Sequence, residues 1–422
     1  MDFVVLLHIF VFSPILFCIT FLSLLLPNPT YFWAWKSQLS QPVADLVLRN
    51  GVIYTSDDSL PFADSMAVAN GRVLRVGNRS FFQELEGYGT QVLDLGGKVV
   101  VPGFLDSHVH FIDGGLQMMQ VKLRGVNKKE EFIRRIKDAA QSLAVKSGWP
   151  HGLANSVALV LAGITNLTDD PRGRTILRTA NGEPPGVLID SARTLVTSKI
   201  PEDSVDDRRE ALLRAGNLAL TRGVTTVLDM GRYYPGFSTE LSWDDFSGGV
   251  KAFSDGSLGS NSALLYEIEH AQQLASGTRS RFGKQRVVAS MQPDQLLDDA
   301  DSTSKKLGKD RAEKESYLFR SLLNNNALVA FGSDWPVVDI NPLSGIKTAM
   351  KRRPPNWQSA WIPSECISLD DAIKVYTISA ARASFLDKDL GSLSPGKLAD
   401  FVILSTDSWK DFAEDASAYM LC

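Results

Sequence analysis

The stretch "VVVPGFLDSHVHFIDGG", residues 99–115, holds two of the chain's five histidines, one residue apart and just after an apolar run. Side chains alternate along a strand, so Val109 faces one way while His108 and His110 share the other face. Two imidazoles on one face can grip one metal ion. An isolated H-x-H is a weak signal, but further donors follow. Lys251 lies in "GGVKAFSDG", His270 in "EIEHAQ", and Asp334 ends "ALVAFGSD". With His108 and His110 they make a ligand set for zinc or a related divalent ion: neutral imidazoles, a hard carboxylate, and a lysine that ligates only when deprotonated or carbamylated.

Such a set points to hydrolysis. A divalent ion lowers the pKa of bound water to about 7 and polarises a carbonyl. An aspartate beside that water can take its proton and pass it to a leaving amine, the role expected of Asp334. Each residue also has a plainer reading. Lys251 can be a solvated charge, His270 a hydrogen-bonded core residue, and Asp334 a turn former before Trp335-Pro336. His151, in "WPHGLANS", can be an ordinary loop residue. The whole set, more than any one member, carries the expectation.

The elements that must position these groups are legible as texture. From Ala44, "DLVLRNGVIYT" and "SMAVANGRVLRVGN" place Asn-Gly pairs between apolar runs, a hairpin signal in both cases. Residues 44–100 therefore read as a small β layer. From about residue 128, helical spacing alternates with apolar runs. "NKKEEFIRRIKDAAQSLAV" is amphipathic, and "VDDRREALLRAGNLALTRGVTTVLDMG" reads as helix, turn and strand ending at Asp229. "SLDDAIKVYTISAARASFL" reads as a helix capped by its serine, and "LGSLSPGKLADFVILS" returns to turn and strand. Repeated helix–strand alternation argues for a parallel α/β sheet or barrel, whose reactive groups sit at the C-terminal strand ends.

Composition narrows the class. The chain has 422 residues, a formal charge of −4 and no long basic run, which excludes a nucleic-acid footprint. Three cysteines, at 18, 366 and 422, are too few and too scattered for a disulfide framework. Phe3 to Leu26 is apolar and about long enough to cross a bilayer, and "YFWAW" follows like an interfacial belt. An uncleaved single-pass anchor over residues 1–36 is expected; a cleaved signal peptide, leading to the secretory pathway, is the alternative. Lys36 and Arg49 after the span favour a cytoplasmic body.

"VPGFLDSHVH", "GGVKAFSDGSLGSNSAL", "IEHAQ", "FGSDWPV" and "GSLSPGKLADFVIL" together resemble the amidohydrolase superfamily, and most closely its third, YtcJ-like family. The similarity runs from about residue 44 to 405. It implies a TIM-like (β/α)8 metal-dependent hydrolase barrel over 101–385, plus a small β-sandwich built from both chain ends, 44–100 and 386–422. It implies hydrolysis of carbon–nitrogen bonds other than peptide bonds, in a small amide-like substrate, with one or two divalent ions, zinc being expected. Under it His108, His110, Lys251, His270 and Asp334 are metal-site residues, Asp334 the proton shuttle, and His151, Asp255 and Trp335 candidates for the substrate pocket. Plant members it resembles imply far-red (phytochrome A) light signalling and an endoplasmic reticulum or perinuclear membrane setting. A homodimer is left open.

The chain departs from the family in its spacing. The family carries another histidine, in a "HAIGD"-type strand, between the lysine strand and "IEHAQ"; here none is present. Lys251 and His270 are nineteen residues apart, whereas a βαβ unit needs about thirty or more. The joins at "SGWPHGLANS" and "SWDDFSGGVKAF" are short as well, and the tail ends before the usual last sandwich strand. Whole segments are missing, so the barrel is expected to be incomplete. A catalytically impaired signalling or scaffold protein is then the alternative to an active hydrolase.

Overall fold

A computed structural model describes residues 43–122, 126, 128–141, 151–171, 175–199, 203–231 and 282–421. The expected membrane anchor, Lys251, Asp255 and His270 lie outside the described residues. Among the described residues no helix is long and apolar enough to cross a membrane.

The N-terminal strands are β1 (Leu46–Arg49), β2 (Val52–Tyr54), β3 (Phe62–Ala63), β4 (Ser65–Ala69), β5 (Arg72–Gly77), β6 (Gln91–Asp94) and β7 (Val99–Pro102). β8 (Phe104–Val109) then opens an α/β body with α1 (Phe111–Met118), α2 (Lys129–Gln141), β9 (His151–Leu153), α3 (Ser156–Leu161), β10 (Thr175–Ile176), β11 (Val187–Ile189), α4 (Thr194–Thr197), α5 (Val205–Thr221) and β12 (Val224–Asp229). The C-terminal part adds β13 (Val288–Met291), α6 (Leu296–Leu307), α7 (Lys309–Glu315), α8 (Phe319–Asn324), β14 (Leu328–Phe331), α9 (Pro342–Lys351), α10 (Leu369–Tyr376), α11 (Ile378–Ala383), β15 (Phe401–Ile403) and α12 (Trp409–Asp415).

Two four-stranded sheets pack face to face, in the orders β5-β4-β1-β6 and β15-β7-β2-β3. The second sheet thus takes a strand from each chain end. Alternation along β7 shows why "VVV" is apolar throughout. Val100 joins Leu48, Ile53, Met66 and Val73 between the two sheets, whereas Val99 and Val101 face the core of the α/β body. A strand buried on both faces has no polar side to offer. After β15 the chain returns through α12, and Met420 pairs antiparallel with Leu404.

Only one of the two Asn-Gly signals is a hairpin. At Asn70-Gly71 both residues have positive φ and Ala69 pairs with Arg72, so β4 and β5 form a tight two-residue hairpin. At Asn50-Gly51 the chain instead passes from one sheet to the other. β1 lies parallel to β6, and β2 parallel to β7. The bend's backbone groups are taken by the matching bend beside it, through Gly97 N to Asn50 O and Leu95 N to Arg49 O. Two adjacent corners satisfy the donors and acceptors that a hairpin would have used.

In the α/β body β12 pairs parallel with β8, and β13 with β14. β8 lies against the end of β14: Ser107 Oγ donates to Phe331 O, and Val109 bridges Trp335 in parallel. The described parallel strands form an arc, β12-β8-β14-β13. The expected helices form. Ser204 and Ser368 each make a capping box, with Asp207 and Asp371, at the starts of α5 and α10. The single helix expected over 368–386 breaks at Thr377, whose hydroxyl donates back to Ile373 O.

Because β15 completes the second sheet, deleting residues 401–422 should expose the edge of β7 and the apolar faces of Val99 and Val101. The shortened chain is expected to lose its cooperative thermal transition; a melt as sharp as that of the whole chain would contradict the two-ended architecture.

Candidate metal centre

β8 ends at Val109 and His110 caps the start of α1, so the two imidazoles leave the backbone at the C-terminal end of a buried strand. Asp334 lies three residues beyond β14, at φ +57, a left-handed position that aspartate tolerates better than most residues. Two main-chain hydrogen bonds clamp the segments together: Asp334 N to His108 O at 2.6 Å and His110 N to Trp335 O at 2.8 Å. As a result the three side chains point into one space.

Asp334 Oδ1 lies 3.6 Å from His108 Nε2 and 3.5 Å from His110 Nε2. One ligand atom from each of the three residues lies within 4.8 Å of the others. A tetrahedral zinc site with arms of about 2.0–2.1 Å has ligand–ligand edges of about 3.3–3.4 Å. Both measured separations are longer than an ordinary N–H···O hydrogen bond and close to such an edge. The donors therefore fit a divalent ion. His110 Nδ1 is within hydrogen-bonding distance of the carbonyl of Gly231. A carbonyl can only accept, so Nδ1 carries the proton and Nε2 presents its lone pair to the site. The His110 side chain is 2% exposed, those of His108 and Asp334 14% and 13%. Such burial largely shields the three donors from water.

Several supporting residues escaped sequence reasoning. Asp106, 1% exposed, stands two residues before His108. Its Oδ1 accepts from His108 N at 3.1 Å and Ser333 N at 2.9 Å. Burial pushes its carboxyl up to about 7, against the pull of Ser333. The strand alternation that singled out His108 and His110 also put Asp106 on their face, and that was the available signal. Gly332 allows the close approach, since a Cβ there would sit 2.5 Å from His108 N. Gln295 Nε2 donates to Asp334 Oδ2 at 2.9 Å, and nothing in the sequence links those two positions.

Of the other candidates, Trp335 and His151 lie among the described residues. Trp335 is 6% exposed, packed with Val109, Ala215 and Ile340 and edge-on to Phe111 at 5.9 Å. It forms core beneath the site. His151 begins β9, which pairs with β11 in a small antiparallel sheet. Lys251, Asp255 and His270 fall outside the described residues.

A mixed α/β body with imidazoles and a carboxylate gathered at its parallel strand ends is the architecture of a metal-dependent hydrolase. Solved structures agree at the level of fold. A metal-dependent hydrolase from Pyrococcus horikoshii has a TM-score of 0.62 at 20% identity, covering 86% of this chain and 97% of that one. One from Pyrococcus furiosus has 0.60 at 22%, covering 86% and 99%.

The chain belongs to the amidohydrolase family, in its YtcJ-like third group, and matches the family profile over residues 91–152, 150–243 and 261–416. It is 46% identical to the protein LONG AFTER FAR-RED 3 of Arabidopsis thaliana over 98% of this chain and 96% of that protein. It is 26% identical to the YtcJ protein of Bacillus subtilis, and 23% to an N-substituted formamide deformylase of Arthrobacter pascens. Both of these cover 86% of this chain and 94% of the relative. The three alignments run over 561, 502 and 511 residues, more than the 422 of the chain, so each is opened by long gaps on this chain's side. The relatives therefore carry residues that this sequence lacks.

Asp106→Ala leaves two buried N–H groups without their acceptor. At about 1–3 kcal/mol for each unsatisfied donor, it should cost about 2–6 kcal/mol in urea unfolding. Asp106→Asn keeps one acceptor oxygen and should cost less than half as much.

Proposed function

We propose that this chain is built to hydrolyse a carbon–nitrogen bond, other than a peptide bond, in a small amide-like molecule. The observation that carries the reading is the convergence of His108 Nε2, His110 Nε2 and Asp334 Oδ1. A divalent ion held there, zinc by the chemistry of the donors, would supply a Lewis acid for the carbonyl and acidify water at neutral pH. His108 and His110 hold it with neutral imidazole nitrogens. Asp334 Oδ1 takes a proton from the attacking water and returns it to the leaving nitrogen, which departs as an amine. Lys251 and His270 complete the set by family resemblance, with His151 and Asp255 on the substrate side and Trp335 packed underneath. The formamide deformylase, named for an amide-type substrate, supports the substrate class.

The arc β12-β8-β14-β13 is in this reading the surviving part of an eight-stranded barrel. Its two outer edges, at β12 and β13, pair with no further strand among the described residues. That observation, with the long alignment gaps, favours a second reading: a shortened form that keeps the hydrolase shell for signalling or scaffolding and turns over poorly. The name of the Arabidopsis relative supports a link to far-red light responses under either reading. The apolar run from Phe3 to Leu26 supports a single-pass anchor in an internal membrane.

Asp334→Asn is expected to abolish amide hydrolysis while keeping measurable zinc binding, since an amide oxygen can still ligate but cannot shuttle the proton. Unchanged turnover would remove the assigned role. If the unaltered chain binds zinc but shows no turnover on N-substituted formamides or related amides, the scaffold reading stands in place of the enzyme. Removing residues 1–36 should move the protein from the membrane to the soluble fraction on centrifugation, and continued sedimentation with membranes would defeat the anchor.

A further inference from the structure

β13 contributes no ligand to the His108–His110–Asp334 cluster, yet its C-terminal end reaches two of the three. Ser290, within β13, places Oγ 3.4 Å from His108 Nδ1, a long contact. Just past the strand, the turn Pro293–Gln295 carries Gln295 Nε2 to Asp334 Oδ2 at 2.9 Å. This turn is itself fastened. Pro293 is buried, and the Asp294 carboxylate accepts from the hydroxyl of Thr348 on α9. Gln295 precedes α6 but makes no side-chain capping bond there, so its amide is not needed to start that helix.

We propose that Gln295 is a positioning residue for Asp334, an inference that rests on the metal-site reading above. The torsion that turns a carboxylate about its own bond is broad and roughly two-fold. Asp334, on a left-handed loop position beyond its strand, needs something to fix that torsion. An amide nitrogen can only donate, so Gln295 engages Oδ2 and leaves Oδ1 facing both imidazoles. Thr348, Asp294 and Gln295 thereby link α9 to the carboxylate without touching the ion. Groups that orient ligands in this way commonly change metal affinity by about 10–100-fold when removed.

The test uses the full chain and two variants, Gln295→Met, which keeps the side chain's length without the donor, and Gln295→Ala. Zinc affinity is measured by competition with a chelating dye, the visible spectrum is recorded with cobalt in place of zinc, and the melting temperature is taken without metal. Both variants are expected to bind zinc about 10–100-fold more weakly and to shift the cobalt bands, with the metal-free melting temperature unchanged. Zinc affinity in Gln295→Met equal to that of the unaltered chain overturns the inference alone. A fall in affinity accompanied by an equal fall in metal-free stability in both variants also overturns it, since the residue would then be structural. Absence of zinc binding by the unaltered chain overturns the metal-site reading and this inference with it.

Discussion

The seam between β8 and the segment after β14 is where the site is made. Two main-chain hydrogen bonds cross it, from Asp334 N to His108 O and from His110 N to Trp335 O. The Asp106 carboxylate crosses it again, gathering N–H groups from both sides. Gly332 lets the two backbones come within contact distance, a spacing that any Cβ would prevent. Two histidines and an aspartate more than two hundred residues further along the chain meet because the backbone beneath them is stitched. Their geometry is therefore a property of the seam before it is a property of the side chains.

Packing around the seam explains why it can be rigid. Phe104, Phe331, Phe319 and Tyr376 contact one another edge to face below the strands, with centroids 5.0–6.4 Å apart. Ring pairs of this kind add to simple apolar burial and hold a specific orientation. On the opposite flank Trp335 lies so close to α1 that a Cβ on Gly114 would meet its ring at 2.2 Å. The second sheet of the sandwich shares the large core through Val99, Val101 and Val402. Both ends of the chain are thus tied to the body that carries the site.

Loss of segments from a barrel need not erase such a site. All three described donors come from neighbouring positions on the arc, so β8 and the segment after β14 are enough to bring them together. The outer edges of β12 and β13 have no strand neighbour among the described residues. A site held together at its seam fits a family member that keeps this ligand geometry whether or not it turns over substrate.

Local chemistry was readable because it depends on neighbours in sequence. Alternation placed His108 and His110 together, and the capping serine of α10 stood plainly at Ser368. The family motifs named Asp334 as well. Tertiary structure alone decided which Asn-Gly pair turns a hairpin and which turns a corner, because the choice belongs to the bend at Gly97 lying alongside. It also decided that Gln295 meets Asp334, across 39 residues of chain, and that four parallel strands make an arc. Hydrogen-bond partners far along the chain leave no period in the sequence, whereas the face a side chain occupies is fixed by the geometry of its own backbone.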